Sequence, residues 1–479
     1  MQQQELLTNA IKNMLKSNSP CLYRLATTSA LIASALAAFA AANQPAATTG
    51  ISSTPASEND AKPATPLGLA SFQKPAWLTD LSLGVKESYD DNVLLSDVGS
   101  LKDRSSWITT ISPKLGFNFA PLLGDQKTLQ VLSLGYAPDL VTYHDQSSES
   151  YNAHRAAATI QGKSEALSFK LENAFNYIDG NQDGPVFSNG RSGFAAVLAA
   201  TRRDQYQDRA KISAQYDQEK WFARPVASFL YYDFLTNLRT TPGYDNYADR
   251  YDVNGGADFG YKLDPKMALT LGYRYGHQYQ QQYPTAIDKA HLSSPNDYQR
   301  VLLGFEGKPW PWLNVSLQGG PDFRDYEANS ATHTTPVNDR NPVKYYGEAT
   351  LTADVTAHDS LAFNYKQWQW LATTGKVPYY DSLYELSYRH KFNTQFSFDL
   401  GARLQTWDFT VSNLATSLRN DQQYSLSAGL NYAFTANLSA NLAYIADLGR
   451  NAEDGLSDTV QQSREYDQQM VTLGVQFKF

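Results

Sequence analysis

From residue 78 to the end of the chain, short segments alternate apolar residues with polar or small ones. The last segment shows the pattern most clearly, because its apolar residues all share one parity: Val471, Leu473, Val475, Phe477 and Phe479. A period of two is that of a β-strand with one apolar face. The same alternation recurs in segments 269–276, 396–404 and 424–434. The pattern therefore predicts an all-β protein.

The connections between these segments alternate in length. Short turns are predicted at 122–126, 163–165, 217–220, 263–266, 308–311, 357–360, 393–395 and 435–437. Longer polar loops lie between them, among them 178–202, 236–247, 281–297, 326–342 and 451–465. Eight turns and nine loops join about eighteen strands, with sixteen as the second choice. An even count with both ends on one side predicts a transmembrane antiparallel up-and-down β-barrel over residues 78–479.

A water-soluble β-sandwich is the alternative, and two features argue against it. The polar faces combine Gly, Ser, Asn and Gln with charges of both signs, which suits a water-filled lumen. Aromatic pairs lie near predicted strand ends and resemble the interfacial belts of membrane barrels, as in Trp310 with Trp312, Trp368 with Trp370, and Tyr379 with Tyr380. Since lipid offers no partner for a free strand edge, the predicted sheet should close.

The N-terminal segment predicts export. Lys12, Lys16 and Arg24 precede an apolar run at 25–42, and small residues at Ala38 and Ala40 fit signal-peptidase cleavage. We therefore predict a signal peptide at 1–40, with an uncleaved anchor as the alternative. Residues 41–77, rich in Ala, Thr, Ser and Pro, are predicted to form a disordered periplasmic linker, with a folded plug as the alternative.

Composition narrows the class of protein. The chain has 479 residues, of which 42% are hydrophobic and 18% charged, and a formal net charge of -8. Only the N-terminal run approaches the ~20 apolar residues of a spanning helix, which excludes a multi-helix membrane protein. The acidic balance argues against a nucleic-acid partner, because phosphate binding needs a basic face. The predicted location is the outer membrane of a Gram-negative-type bacterium.

Charged residues on the polar faces are the candidate functional site. By parity they are Arg274, Arg300, Glu306, Lys344, Glu348, Asp354, Glu385, Arg389, Lys391, Asp399 and Arg403. One interpretation is a pore lining that orients small hydrophilic solutes. The other is structural, with opposite charges pairing between neighbouring strands. Because both signs occur in similar numbers, we predict weak ion selectivity.

Other chemistry is sparsely supported. Asp179, Asn181 and Asp183 match the first half of a calcium loop, but Gly190 occupies the position of the bidentate acid, so a plain turn is the competing interpretation. No other cofactor is expected. The seven histidines show no metal-ligand spacing, and no nucleophile motif such as G-x-S-x-G occurs. An enzyme is therefore not expected.

Two short motifs carry a resemblance to known barrels. The ending formed by Val475, Phe477 and Phe479 resembles the signal by which the barrel assembly machinery recognises its substrates. Tyr89-Asp90-Asp91-Asn92-Val93 is similar to the end of strand one in the β-barrel porin 2 family. That resemblance implies an outer-membrane barrel associated with exopolysaccharide export, with no assigned substrate. The alternative for this motif is an ordinary polar transition from strand to loop.

Together these features favour a porin-like channel for passive passage of small hydrophilic solutes. Its expected partners are outer-membrane lipid, the barrel assembly machinery, and the solutes or a polysaccharide. The alternative is a non-conducting barrel that acts as an adhesin or scaffold through its loops.

Overall fold

The computed structural model describes residues 74–97, 101–124, 128–181, 200–235, 247–281, 293–327, 341–373, 378–410, 418–453 and 465–479. The predicted signal peptide and all but the last four residues of the predicted linker lie outside these ranges. The strands within them are β1 Leu78–Asp90, β2 Ser106–Asn118, β3 Leu129–Tyr136, β4 Asp139–Tyr143, β5 Tyr151–Ser164, β6 Leu167–Asp179, β7 Gln205–Asp217, β8 Trp221–Phe234, β9 Arg250–Asp264, β10 Met267–Gln280, β11 Asn296–Trp310, β12 Leu313–Tyr326, β13 Val343–Asp354, β14 Asp359–Leu371, β15 Pro378–Lys391, β16 Phe396–Phe409, β17 Arg419–Ala433, β18 Leu438–Glu453 and β19 Tyr466–Lys478.

Apart from β3 and β4, each strand pairs antiparallel with its neighbours in the chain, and the first strand closes onto the last. The β1–β19 register runs from Ser82 opposite Lys478 to Asp90 opposite Met470. Strands β3 and β4 share one wall position, because both pair with β2 on one side and β5 on the other. Pro138, which has no N–H to donate, lies at the break between them. The result is the predicted closed antiparallel barrel with eighteen strand positions.

The connections alternate as predicted. All eight predicted short turns fall between consecutive strands, with bounds shifted by up to three residues. They lie at one end of the barrel, here called the short-turn end, together with the start of β1 and the end of β19. The opposite end is the long-loop end. Short 3₁₀ helices occur at Ala120–Leu123, Ser147–Glu149 and Ala200–Arg202. No helix in the described ranges is long and apolar enough to cross a membrane.

The two faces of the wall differ as the alternation predicts. In β10, Leu269, Leu271 and Tyr273 are exposed on the outer face at 49%, 53% and 46%. Gly272 and Gln278, of the opposite parity, are buried. In β10, therefore, the buried positions face the inside of the barrel and the large apolar side chains face its outside.

Candidate functional site

Charges on the inner face form ion pairs that follow the curve of the wall. Arg224 on β8 lies 3.2 Å from Asp258 on β9 and 2.9 Å from Glu306 on β11. Arg274 on β10 lies 2.7 Å from the same Asp258. Since two strands separate β8 from β11, the Arg224–Glu306 pair must reach across the concave surface. These side chains therefore point into the lumen.

A second network is centred on Asp322, whose side chain has no solvent exposure. The carboxylate accepts hydrogen bonds from Arg300 Nε at 3.1 Å and Arg324 Nη2 at 2.7 Å. Arg324 Nη1 also donates to Gln278 Oε1 at 3.0 Å and to Asn296 Oδ1 at 2.8 Å. The network joins the inner faces of β10, β11 and β12 near the long-loop end.

A third group lies on the other side of the barrel. Arg389 Nε donates to Asp399 at 2.5 Å, and Asn431 Nδ2 donates to the same carboxylate at 2.6 Å. Arg403 lies 3.8 Å from Glu385. The inner face therefore holds cations and anions in contact on both sides.

The structure places the predicted charged residues at different heights along the inner face. Seven of them belong to the ion pairs above: Arg274, Arg300, Glu306, Glu385, Arg389, Asp399 and Arg403. Glu348 accepts hydrogen bonds from Tyr346 at 2.6 Å and Gln318 at 3.1 Å, and Lys344 lies 4.9 Å from the Tyr380 ring centroid. Asp354 and Lys391 are exposed near the short-turn end. Their role in lining a conducting path stays a prediction.

Several inner-face residues were missed by the sequence analysis. Asp322 and Arg324 have the same parity within β12, so the parity rule applied to that strand would have found them. Arg250 is the first residue of β9, where a strand boundary is hard to place from the sequence. Its environment depends on residues more than a hundred positions away.

The Tyr89–Val93 motif organises the loop that follows β1. Asp90, only 3% exposed, accepts hydrogen bonds from the Asn92 backbone N–H at 2.9 Å and from Gln468 Nε2 at 2.8 Å. Asn92 Nδ2 donates to the Asp467 carbonyl at 2.8 Å, and its Oδ1 accepts from the Ser96 N–H at 3.1 Å. The motif thus ties this loop to the start of β19 and turns it inward.

The turned loop carries an apolar side chain into the long-loop end of the lumen. Leu95 adopts a positive φ of 52°, unusual for a residue with a side chain. It packs in a buried group that we name the mouth cluster: Leu95, Trp370, Ala372, Tyr379, Trp407 and Tyr466. Tyr232 on β8 packs against the cluster, with its ring centroid 6.4 Å from that of Trp370. Side chains from opposite sides of the barrel therefore meet here.

The mouth cluster corrects one prediction. Trp370, Tyr379 and Tyr380 are only 6%, 5% and 9% exposed, so their assignment to an outer aromatic belt is wrong. Trp310 and Trp312 do match that expectation, because they are 54% and 48% exposed and their rings stack at 5.8 Å. Tyr379 and its partner Trp370 share the inner parity of Glu385 and Arg389, so only Tyr380, which has the outer parity of Tyr384, departs from the alternation.

The end of the β14–β15 hairpin leaves the wall. Strands β13 and β14 stop pairing at Gly347 opposite Gln367, whereas β14 and β15 remain paired up to Leu371 opposite Pro378. Residues 378–382 are all buried, and so are residues 369–373. A strand in the wall exposes every second side chain, so this segment lies inside the barrel. We call residues 368–373 and 378–382 the hairpin end.

The free edge of the hairpin end finds donors on β9 and β10 and just before β9, four to five strand positions away around the wall. The carbonyl of Gln369 accepts from Gln278 Nε2 at 3.1 Å, and that of Leu371 accepts from Arg250. The carbonyl of Ala372 accepts from Gln280 Nε2 at 2.6 Å. The Thr373 carbonyl accepts from the Ala248 N–H, also at 2.6 Å. We name these four donors the latch residues: Ala248, Arg250, Gln278 and Gln280.

Arg250 is held by aromatic rings as well as by the hairpin. Its guanidinium lies 5.0 Å from the ring centroids of both Tyr232 and Trp370. An arginine in such a position gains from cation–π attraction on each side. It therefore joins the latch to the mouth cluster.

Asp249 lies between two latch residues, outside the strands. Burial raises the pKa of this carboxyl to about 7. The Phe234 N–H, which donates to it at 2.8 Å, opposes the shift, and the charge of Asp233 adds to it. The segment next to the latch therefore changes charge near neutral pH.

The candidate calcium residues are only partly described. Asp179 is exposed at the end of β6, and Asn181 forms an isolated bridge with Arg203. Asp183 lies outside the described residues. Among the residues that are described, no group of three or more His, Cys, Asp or Glu could hold a metal ion. Calcium binding stays a prediction.

No family model matches the chain, and no curated protein matches it. Solved structures of similar shape include the siderophore receptor PirA from Acinetobacter baumannii, at 8% identity, 84% of this chain, 81% of that chain and a TM-score of 0.39. The outer membrane protein opdK from Pseudomonas aeruginosa has 9% identity, 84% and 99% coverage and a TM-score of 0.38. OccAB4 from Acinetobacter baumannii has 10% identity, 84% and 98% coverage and a TM-score of 0.37.

Proposed function

We propose that this protein is an outer-membrane channel through which small hydrophilic solutes diffuse passively. One observation carries the proposal: a closed wall of eighteen strand positions has an apolar outer face and an inner face of paired charges. A barrel of this circumference is too wide for strand side chains alone to fill its interior. A hydrated lumen is the arrangement that its inner face supports.

The outer face supports contact with lipid. Leu303 and Leu426, in the middle of their strands, are 70% and 61% exposed. In water, each square ångström of such surface costs roughly 25 cal/mol, whereas hydrocarbon removes that cost. Aromatic pairs lie towards both rims, as in Trp310 with Trp312 at the short-turn end and Tyr251 with Tyr279 near the long loops, 5.1 Å apart. Two aromatic belts of this kind mark the interfaces of membrane barrels.

The inner face supports passage without strong preference for one ion sign. Acidic and basic groups alternate in contact, as in Arg274 with Asp258 and Arg389 with Asp399. Paired charges largely cancel at a distance, so the lumen attracts water and polar solutes more than one kind of ion. This is the basis on which the charged residues predicted from the sequence are proposed to line the path.

The remaining assignments extend the proposal. Phe479 at the barrel rim is 49% exposed, and its N–H donates to the Leu81 carbonyl at 2.9 Å. Its ring meets that of Phe477 edge-on at 4.8 Å. An accessible terminal aromatic supports recognition by the barrel assembly machinery. Membership of the β-barrel porin 2 family and an association with exopolysaccharide export stay predictions from the Tyr89–Val93 motif.

Conductance across a planar bilayer tests the channel. The protein, purified in detergent and shown to be folded by its heat-dependent gel mobility, should give single-channel steps with a cation-to-anion permeability ratio near one. A strong preference for one ion sign would contradict the paired-charge argument. A folded barrel without steps would favour the adhesin or scaffold alternative.

A further inference from the structure

We propose that the hairpin end is a gate, which closes the mouth of the channel in this structure and opens by returning to the wall beside β13. This inference rests on the proposed channel function and adds its regulation. The gate consists of residues 368–373 and 378–382, and its closed state is held by the four latch residues and the mouth cluster.

Continuing the register between β13 and β14 gives the residue pairs of the open position. Beyond Gly347 opposite Gln367, the next pairs would be Tyr345 opposite Gln369 and Val343 opposite Leu371. Both strands extend past the point where their pairing stops. Val343 and Tyr345 are 55% and 67% exposed at this point. Beside β13, the register therefore leaves two positions, at Tyr345 and Val343, that β14 does not occupy.

The parity of the hairpin end also suits the wall. Tyr380 has the parity of Tyr384 and Leu386, which are 40% and 46% exposed on the outer face of β15. In the wall, Tyr380 would thus join the outer aromatic row, and Tyr379 would face the lumen. The segment needs no change of register to move between its two positions.

Opening would exchange hydrogen-bond donors of the latch for hydrogen-bond donors of β13. The Gln369 and Leu371 carbonyls have the parity that faces β13 along β14, and they now accept from Gln278 and Arg250. In the wall, backbone N–H groups of β13 would replace these side-chain donors. Because these two carbonyls have a partner in both positions, the move costs no hydrogen bond at Gln369 or Leu371. This balance is what a two-position element requires.

One edge of the segment can act as the hinge. Strands β15 and β16 stay paired along their length, from Tyr379 opposite Phe409 to Lys391 opposite Ser397. Gly347 marks the divergence on the free side. A Cβ at Gly347 would lie 3.0 Å from the Tyr365 ring, so glycine lets the ring approach closely where the two strands part. The segment is therefore attached on one side and free on the other.

A disulfide between the gate and its latch tests the proposal. Ala248 and Thr373 are 0% and 3% exposed, and their backbones are joined by the 2.6 Å hydrogen bond. The chain has one native cysteine, Cys21, in the predicted signal peptide. The double variant Ala248→Cys with Thr373→Cys should therefore form a single defined bond. When it is oxidised, we expect bilayer conductance at least tenfold below that of the reduced protein, with recovery on adding reductant.

Each single-cysteine variant controls for the thiols, and releasing the latch gives the opposite arm. Arg250→Ala should raise the open fraction several-fold. The control Arg155→Ala removes an arginine of β5 that pairs with Asp139 and does not touch the hairpin end, and it should not raise the open fraction. Equal conductance of the oxidised and reduced double variant overturns the gate and leaves the channel standing. A folded barrel that stays silent when oxidised, when reduced and as Arg250→Ala overturns the channel and the gate with it.

Discussion

Removing the Asp322 carboxylate would test whether the network of Asp322, Arg300 and Arg324 excludes water. Asp322 has no exposed side-chain surface, and it lies 3.1 Å from Arg300 Nε and 2.7 Å from Arg324 Nη2. The two guanidiniums also lie 4.2 and 4.3 Å from the Tyr298 ring centroid. The variant Asp322→Ala leaves both arginines close together without the anion between them. The barrel should lose stability.

The size of the loss follows from burial. Two unit charges about 4 Å apart attract by about 4 kcal/mol at the effective dielectric constant of about 20 that suits protein sites. Removing one partner of a buried pair destabilises proteins by about 3–5 kcal/mol, because the remaining charge is left desolvated. We expect a loss of that order for Asp322→Ala. Asp322→Asn keeps one acceptor oxygen and should lose roughly half as much.

The matched control is an ion pair of the same length on the surface. Arg450 lies 2.7 Å from Asp467, but the two side chains are 40% and 57% exposed. Exposed pairs contribute about 0–1 kcal/mol, so Asp467→Ala should change little. Urea unfolding in lipid vesicles, followed by tryptophan fluorescence, gives the free energy of unfolding for each variant. If Asp322→Ala lost no more than Asp467→Ala, the inner network would be hydrated and the argument from burial would be refuted.

Three further predictions concern the motif, the C-terminus and the latch. Asn92→Ala removes three side-chain hydrogen bonds that hold the loop after β1, so limited proteolysis should cut that loop faster. Unchanged cleavage would mean that the motif is an ordinary transition from strand to loop. Phe479→Ala should lower the folded fraction in cells without changing the unfolding free energy of the refolded protein, and normal assembly in cells would contradict the assembly signal. The pKa of Asp249, about 7 against its ordinary 3.8, means that the folded latch segment binds a proton that the unfolded chain has released between those values. This segment should thus lose stability as pH rises through 7, and the open fraction should increase from pH 5 to pH 8. The charged or titratable neighbours of Asp249 are Asp233, Tyr231 and Tyr279. The variant Asp249→Asn should flatten the pH dependence of the open fraction, and an unaltered pH profile in this variant would refute the prediction.

The wall could be predicted from the sequence because its signals are local. Each strand meets two different environments, so apolar and polar residues alternate within a dozen positions, as in 424–434. The alternation of short and long connections then predicted the order of the strands and the closure of the sheet into a barrel. The same parity placed Arg274 and Glu306 on the inner face, where they meet Asp258 and Arg224.

The closed mouth could not be predicted, because its cause is not local. Tyr380 has the outer parity of Tyr384, yet it lies inside the barrel, whereas Trp310 is exposed. What separates them is the partner across the lumen: Arg250 lies 121 positions from Leu371, and Gln278 lies 91 positions from Gln369. The sequence alone does not show which distant residues are in contact. It therefore does not show that the end of β14 separates from β13.

The direction in which the hairpin end leaves the wall follows from where hydrogen-bond donors are available. A free strand edge in hydrocarbon leaves polar groups unpaired, each at a cost of several kcal/mol, so the segment cannot move outward. Inside the barrel, Gln278 and Arg250 supply the donors that β13 no longer gives. A strand segment can therefore separate from its neighbour in the wall only where the inner face offers polar groups at the height of that segment. The polar lining that would admit solutes is thus also what allows the barrel to close its own mouth.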